Sequence, residues 1–230
     1  MGLDITPIIL SLKVALGSVI IVACTSVPVA GFMAKRDFWG KAVVESMITL
    51  PLVLPPSVIG FILLVAFGKN GPLGILLEQL FHVRVVFSLA GAVIAAAVVS
   101  FPLMYQSVRT AIESVDPTLE QAARSLGARE LKVFFTITLP LAWNGIISGF
   151  VLAFARSLGE FGATLMVAGN IPGKTQTMPM AIYFDNEAGD MRQASILVAI
   201  MTVFSFCVIY GVNRWGKGSK RDFKEMKSDV

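Results

Sequence analysis

The sequence predicts an all-α integral membrane protein with about five transmembrane helices and one short polar helix on its cytoplasmic side. Three observations carry that expectation. Of 230 residues, 55% are hydrophobic and only 15% are charged, whereas soluble domains carry about 25% charged residues. The apolar residues gather into five runs, each near the roughly 20 residues a helix needs to cross about 30 Å of hydrocarbon. One stretch, Glu120 to Ala128 followed by Ile137-Thr138-Leu139-Pro140, is a polar island with its own helix-start and helix-stop signals.

The first run extends from about Ile8 to Ala34 and holds one charge, Lys13. Its uninterrupted part, Val14 to Ala34, is longer than the 7–15 residues of a signal-peptide core, and no basic segment precedes it, so a retained span is expected. Lys13 is expected to snorkel to the outer interface; attraction of an anion at the outer mouth is the other reading. The second run, about Ile48 to Phe67, contains Pro51, Pro55 and Pro56. Proline removes a helix hydrogen bond, and freed backbone groups are tolerated in lipid only where protein buries them or they line a cavity. Pro55 and Pro56 therefore mark either a pathway helix or a kinked packing helix. The third run, about Phe87 to Tyr105, carries a similar break signal at Phe101-Pro102.

The fourth run, about Leu141 to Val167, contains Arg156 and Glu160, four residues apart and so on one helix face. Ionisable groups at membrane depth are costly unless paired or turned to a cavity. A structural ion pair is the stronger expectation, because a tight anion site in a pathway would trap its substrate. A contribution of Arg156 to an anion path is the alternative. Gly159 and Gly162 beside the pair permit close helix approach, so this region reads as a bending gate. The fifth run covers about Ala194 to Val212. Residues 1–215 thus form one transmembrane domain, and the polar tail 216–230 is expected to be largely disordered.

Lys and Arg set the orientation. Thirteen fall on the side of residues 35–41, 109–140 and the tail, and four on the side of residues 68–86 and 168–193. The rich side is expected to be cytoplasmic, with the N-terminus outside and the C-terminus inside. The net charge of +4 follows this membrane pattern, and no basic stripe interleaved with aromatics suggests nucleic acid.

Other chemistries lack their residues. Cys24 and Cys207 lie in apolar runs and are expected to be free and buried. The single histidine, His82, has no Cys or His partner, so no metal site is expected. There is no Gly-x-x-x-x-Gly-Lys-Ser/Thr run for nucleotide phosphates and no Ser/His/Asp set. The chain is expected to be no enzyme and to hold no cofactor.

Within the cytoplasmic loop 109–140, Asp116-Pro117 is a helix start: the carboxylate caps free N–H groups, and proline is favoured at the first helical position. The helix should run through Leu126, where Gly127 can adopt the left-handed conformation that ends it. Leu119, Ala122, Ala123 and Leu126 form a narrow apolar stripe, while Glu120, Gln121 and Arg124 face elsewhere. Such a helix could lie on the bilayer surface or fit a cleft on a partner.

The spacing decides for the partner. Ala122-Ala123, three residues, Gly127, nine residues, then Ile137-x-Leu139-Pro140 resembles the signature of ABC importer permeases, with Gln121 at the usual glutamate position and Glu120 before it. The likeness extends from about Ile9 to Tyr183. Leu50 to Pro56, Val151 to Thr164 and Asn170-Ile171-Pro172-Gly173 resemble the molybdate branch, while Gly159-Glu160-Phe161-Gly162 is shared with sulfate and tungstate permeases.

The resemblance implies a type I ABC importer permease fold that begins at the first of five core spans. It also implies a homodimer, a cytoplasmic ABC ATPase dimer that binds the ATP, and an extracytoplasmic oxyanion-binding protein docking on the outer segments. Glu120, Gln121, Ala122, Ala123, Arg124 and Gly127 are the implied ATPase-coupling residues. Pro55, Pro56, Arg156, Glu160 and Gly162 are the candidate pathway or gate. The implied substrate is molybdate, with tungstate alongside; a sulfate/thiosulfate or tungstate-specific permease is the alternative. A secondary transporter would show repeats with broken helices in both halves, and five spans do not divide that way. A membrane enzyme lacks a catalytic set, and co-purification with an ATPase separates the permease from a receptor or assembly factor.

Overall fold

The computed structural model describes residues 4–228, and among them all regular structure is helical. The first span is one helix, α1 (Thr6–Lys35). The second is not one helix: α2 (Lys41–Val53) and α3 (Pro56–Phe67) meet at 115°. The residue before a proline is pushed out of the α region. Leu54 precedes Pro55, and Pro55 precedes Pro56, so both adopt extended backbone and the helix cannot continue. After a short helix, α4 (Pro72–Phe81), the third span α5 (Leu89–Glu113) is capped by the Ser88 hydroxyl and runs through Pro102 well past the expected end.

The segment after α5 folds as α6 (Pro117–Ser125), α7 (Glu130–Val133), a π-helical turn (Phe134–Thr138) and α8 (Leu139–Leu141). The stretch from Glu130 to Leu141 then meets α9 (Trp143–Leu158) at 71°. The fourth run was expected as one span from Leu141 to Val167. Instead it breaks at Gly159–Phe161 and resumes as α10 (Gly162–Ala168). The Glu160 carboxylate is the reason, for its Oε1 accepts the Ala163 backbone N–H at 2.8 Å and starts a new helix where α9 ends. Arg156 therefore sits on α9 and Glu160 in the break, not on one continuous face. Beyond α11 (Met178–Glu187), α12 (Met191–Ser228) holds the fifth span. Its helix continues over the segment expected to be disordered; Lys, Arg, Glu and Met there are good helix formers, and no proline intervenes.

Two of the apolar clusters that hold the bundle join the broken spans to the rest. Val19, Val22, Met33, Met104, Val108, Ile112 and Ile146 join α1, α5 and α9. Ile59, Leu63, Ala95, Val99, Ala163 and Val167 join α3, α5 and α10. At Gly60 a Cβ would lie 2.7 Å from Met166 Cβ and 2.8 Å from Ala163 Cα, so α3 and α10 touch almost backbone to backbone. By contrast, α2 has no buried residue, and the membrane window of α12 is only 11% buried. Cys24 and Cys207 are free as expected but exposed, not buried. An apolar run in a membrane chain need not face the protein core, because lipid also accepts it.

Candidate functional site

Two places bring the candidate residues together. The first is the short helix α6. Asp116 Oδ1 accepts the Thr118 backbone N–H at 2.9 Å, and Pro117 takes the first helical position. Gly127, with φ +83°, closes the helix, its N–H bonding Arg124 O at 2.9 Å. Leu119, Gln121, Ala122 and Leu126 are exposed and Ala123 is half-buried, so the outward side carries two leucines, an alanine and one amide.

Glu120 behaves differently from its neighbours. It is only 3% exposed. Its Oε1 accepts hydrogen bonds from Lys35 Nζ, at the end of α1, and from the Thr138 hydroxyl at 2.6 Å, in the π turn. Oε2 lies 3.4 Å from Arg124 Nη2, and Arg124 in turn holds Glu130 through Nε at 2.7 Å. A cavity of about 340 Å³ opens beside this cluster, between α1 and the Glu130–Thr138 segment. Glu120 is thus turned inward, with the exposed Arg124 bridging it to Glu130, while Gln121 and Ala122 face outward. Sequence reasoning named Glu120, Gln121, Ala122 and Arg124 all as coupling residues, with the three polar ones facing away from the Ala122 stripe, and missed Lys35 and Thr138. Lys35 read only as a topology charge, and Thr138 as the variable position in Ile-x-Leu-Pro.

Burial pushes the Glu120 carboxyl up, but the Lys35 ammonium, the Thr138 hydroxyl and Arg124 outweigh it and hold the group below its ordinary 4.5. The sign follows from linkage. A depressed folded value gives stability that is fully present above the unfolded value and lost as pH falls through the folded one. Unfolding temperature in detergent is therefore expected to stay level from pH 7 to about 5 and to fall below about 4.5. The wild type should lose more than Glu120→Gln across that acid range; equal losses would remove Glu120 from the account.

The second place joins the two broken spans. Gly162 lies against α3: a Cβ there would meet Pro56 Cβ at 3.2 Å and Ser57 N at 3.3 Å. Next to it, Arg156 Nη1 contacts Glu160 Oε2 at 2.6 Å, with the Glu160 side chain 1% and the Arg156 side chain 30% exposed. Pro56, Gly162, Glu160 and Arg156 are thereby gathered at one level, and the Pro55–Pro56 break faces the Gly159–Phe161 break. Paired interruptions of this kind are the parts of a helical membrane protein that can change angle without unfolding a helix.

A further ion pair braces the second span. Arg109 on α5 reaches Glu45 on α2 at 2.8 Å and Glu113 at 2.7 Å. Among the described residues, no group of three or more His, Cys, Asp or Glu gathers in a way that could hold a metal ion. His82, at the end of α4, is exposed.

Residues 26–215 match the family of binding-protein-dependent transport system inner membrane components. The molybdenum transport system permease protein ModB of Escherichia coli K12 is 49% identical over 85% of this chain and 88% of its own length. The protein of the same description from Haemophilus influenzae is 47% identical, over 88% and 89%. Among solved structures, an inward-facing form of the MetNI methionine ABC transporter superposes with a TM-score of 0.72 at 13% identity, covering 95% of this chain and 99% of that one. That likeness concerns the fold alone.

Proposed function

The chain belongs to the family of binding-protein-dependent transport system inner membrane components, and from that premise we propose that it is the membrane subunit of an ATP-driven molybdate importer. As a member of that family it is a multi-pass inner-membrane transport subunit, not an enzyme. Family members work with an ATPase and a binding protein. Our finer reading is a homodimer of this chain, two copies of a separate cytoplasmic ATPase that bind the ATP, and an extracytoplasmic protein that delivers the oxyanion. The N-terminus is then outside and the C-terminus cytoplasmic.

One observation carries the ATP-driven reading. The helix α6 is capped at both ends, presents Gln121 and Ala122 outward, and is tied inward by Glu120 to the ends of two spans. Closure of the ATPase would move this helix as a unit. The α2–α3 and α9–α10 breaks would then change angle, opening the path alternately outward and inward. The α2 surface, apolar and unburied within one copy, supports a second copy as its cover. The substrate rests on the relatives, which are described as molybdenum permeases over nearly the whole chain. Tungstate, of nearly equal size and charge, is expected to compete.

The test is uptake. The chain, its ATPase and its binding protein are reconstituted in liposomes, and labelled molybdate is counted with and without ATP. ATP-dependent uptake blocked by excess tungstate and unaffected by sulfate is the expected result. Inhibition by sulfate would move the chain to the sulfate reading, and uptake without ATP would remove the ATPase from the account.

A further inference from the structure

We infer that Glu120 is a positioning residue inside this subunit, and that its bond to Lys35 is the link through which the cytoplasmic helix moves the first span. This rests on the ATP-driven reading above.

The connectivity alone does not supply that link. The nine residues of α6 are joined by short loops to α5 on one side and to α7 on the other. Neither loop touches α1 in sequence. Pushed from outside, α6 could swing on Gly127 and leave α1 where it is. The side chains prevent this. One carboxylate receives Lys35 from the last turn of α1 and Thr138 from the π turn, while its own backbone belongs to α6. Three elements far apart in sequence, at residues 35, 120 and 138, meet on one oxygen. The same junction is packed: the Phe134 ring lies where a Cβ on Gly31 would stand, 2.9 Å away.

The consequence is directional. α1 is thirty residues long and shares its core with α5 and α9. Displacing its cytoplasmic end tilts that core. Thr138 lies just before α8 and the 71° turn into α9, so the same carboxylate also reaches the entry to the fourth span. Hydrogen bonds from an ammonium to a carboxylate shielded from water are shorter and stronger than neutral ones, which suits a joint that must not slip. A partner-facing role fits poorly, because the Glu120 side chain is 4% exposed while Gln121 beside it is open.

The test separates a transmitting joint from simple structural support by a ratio. In liposomes holding the full complex with ATPase and binding protein, molybdate uptake and ATP hydrolysis are measured together. For Glu120→Gln and for Lys35→Met, molybdate moved per ATP is expected to fall by about fivefold or more, with the ATPase still co-purifying at wild-type stoichiometry. The charge swap Lys35→Glu with Glu120→Lys is expected to recover most of the ratio. Thr138→Val, which deletes one hydrogen bond and keeps the shape, is expected to fall between. It remains informative if the swapped chain does not fold.

Several outcomes overturn the inference. Uptake and hydrolysis could decline together at constant ratio, which means structural support only. The ATPase could be lost from the Glu120→Gln complex, which makes Glu120 a partner contact. Thr138→Val and the swap could leave the ratio unmoved by hydrogen-bond loss or unrecovered by charge restoration. A wild-type complex without ATP-dependent uptake would instead overturn the transport reading on which the inference stands.

Discussion

Replacing Arg156 by methionine is expected to destabilise the folded protein by about 3–5 kcal/mol, the cost of leaving a buried charge without its partner. The Glu160 side chain is 1% exposed. Its Oε1 is committed to the Ala163 N–H that opens α10, so the carboxylate cannot turn away to find water. Its Oε2 depends on Arg156 Nη1 at 2.6 Å. Methionine keeps much of the arginine stem and so isolates the loss of charge from the loss of packing. The double variant Arg156→Met with Glu160→Gln should recover most of the stability, because the amide oxygen still accepts the Ala163 N–H and no charge remains buried. Reversible unfolding of the purified protein in detergent reads both. A single variant as stable as the wild type would mean that water or another cation already serves Glu160. Recovery of stability in the double variant without recovery of molybdate uptake would assign Arg156 to the anion path, the reading that ranked second from sequence.

Placing arginine at Ala122 is expected to weaken association with the ATPase by about 30-fold or more, as for residues at the centre of an interface. Molybdate uptake should vanish with it. Ala122 is exposed on the outward side of α6, between Leu119 and Leu126, which are 47% and 89% exposed. A methyl group there lets a partner surface approach the helix closely, whereas a long charged side chain holds it away. The protein itself should be unharmed, with stability within about 0.5 kcal/mol of wild type, because an exposed helical site away from caps and ion pairs tolerates substitution. Binding of the purified ATPase to the detergent-solubilised variant is the measurement. Wild-type affinity would exclude this side of α6 as the docking face. Ala122→Arg should cost binding, whereas Glu120→Gln should cost coupling.

Much of this was legible beforehand, for local physical reasons. Cap chemistry is local, so Asp116-Pro117 and Gly127 bracketed α6 to within a residue or two. Hydropathy is additive along a run, so the five apolar runs stood out, although the second and fourth are each broken into separate helices. Pro55 and Pro56 announced a break, although not the 115° turn it makes. Less was legible where one side chain acts on backbone beyond its own helix. The fourth run is apolar throughout, and its interruption comes from Glu160 capping a new helix, a choice invisible to a hydropathy window. The exposure of Cys24 and Cys207 was missed because apolar periodicity cannot tell lipid from protein.

The sequence by itself determined the class of the protein, its apolar runs and the boundaries of α6, since these depend on composition and on neighbours a few residues apart. Only the tertiary structure decided what the charged residues do. It turned Glu120 inward to Lys35 and Thr138 while leaving Gln121 outside, and it set Pro56 against Gly162. Partners 85 and 18 residues away in the chain meet on one carboxylate, and no periodicity reports them. An ion pair is chosen by where whole helices pack, and that is settled by the burial of many apolar side chains at once.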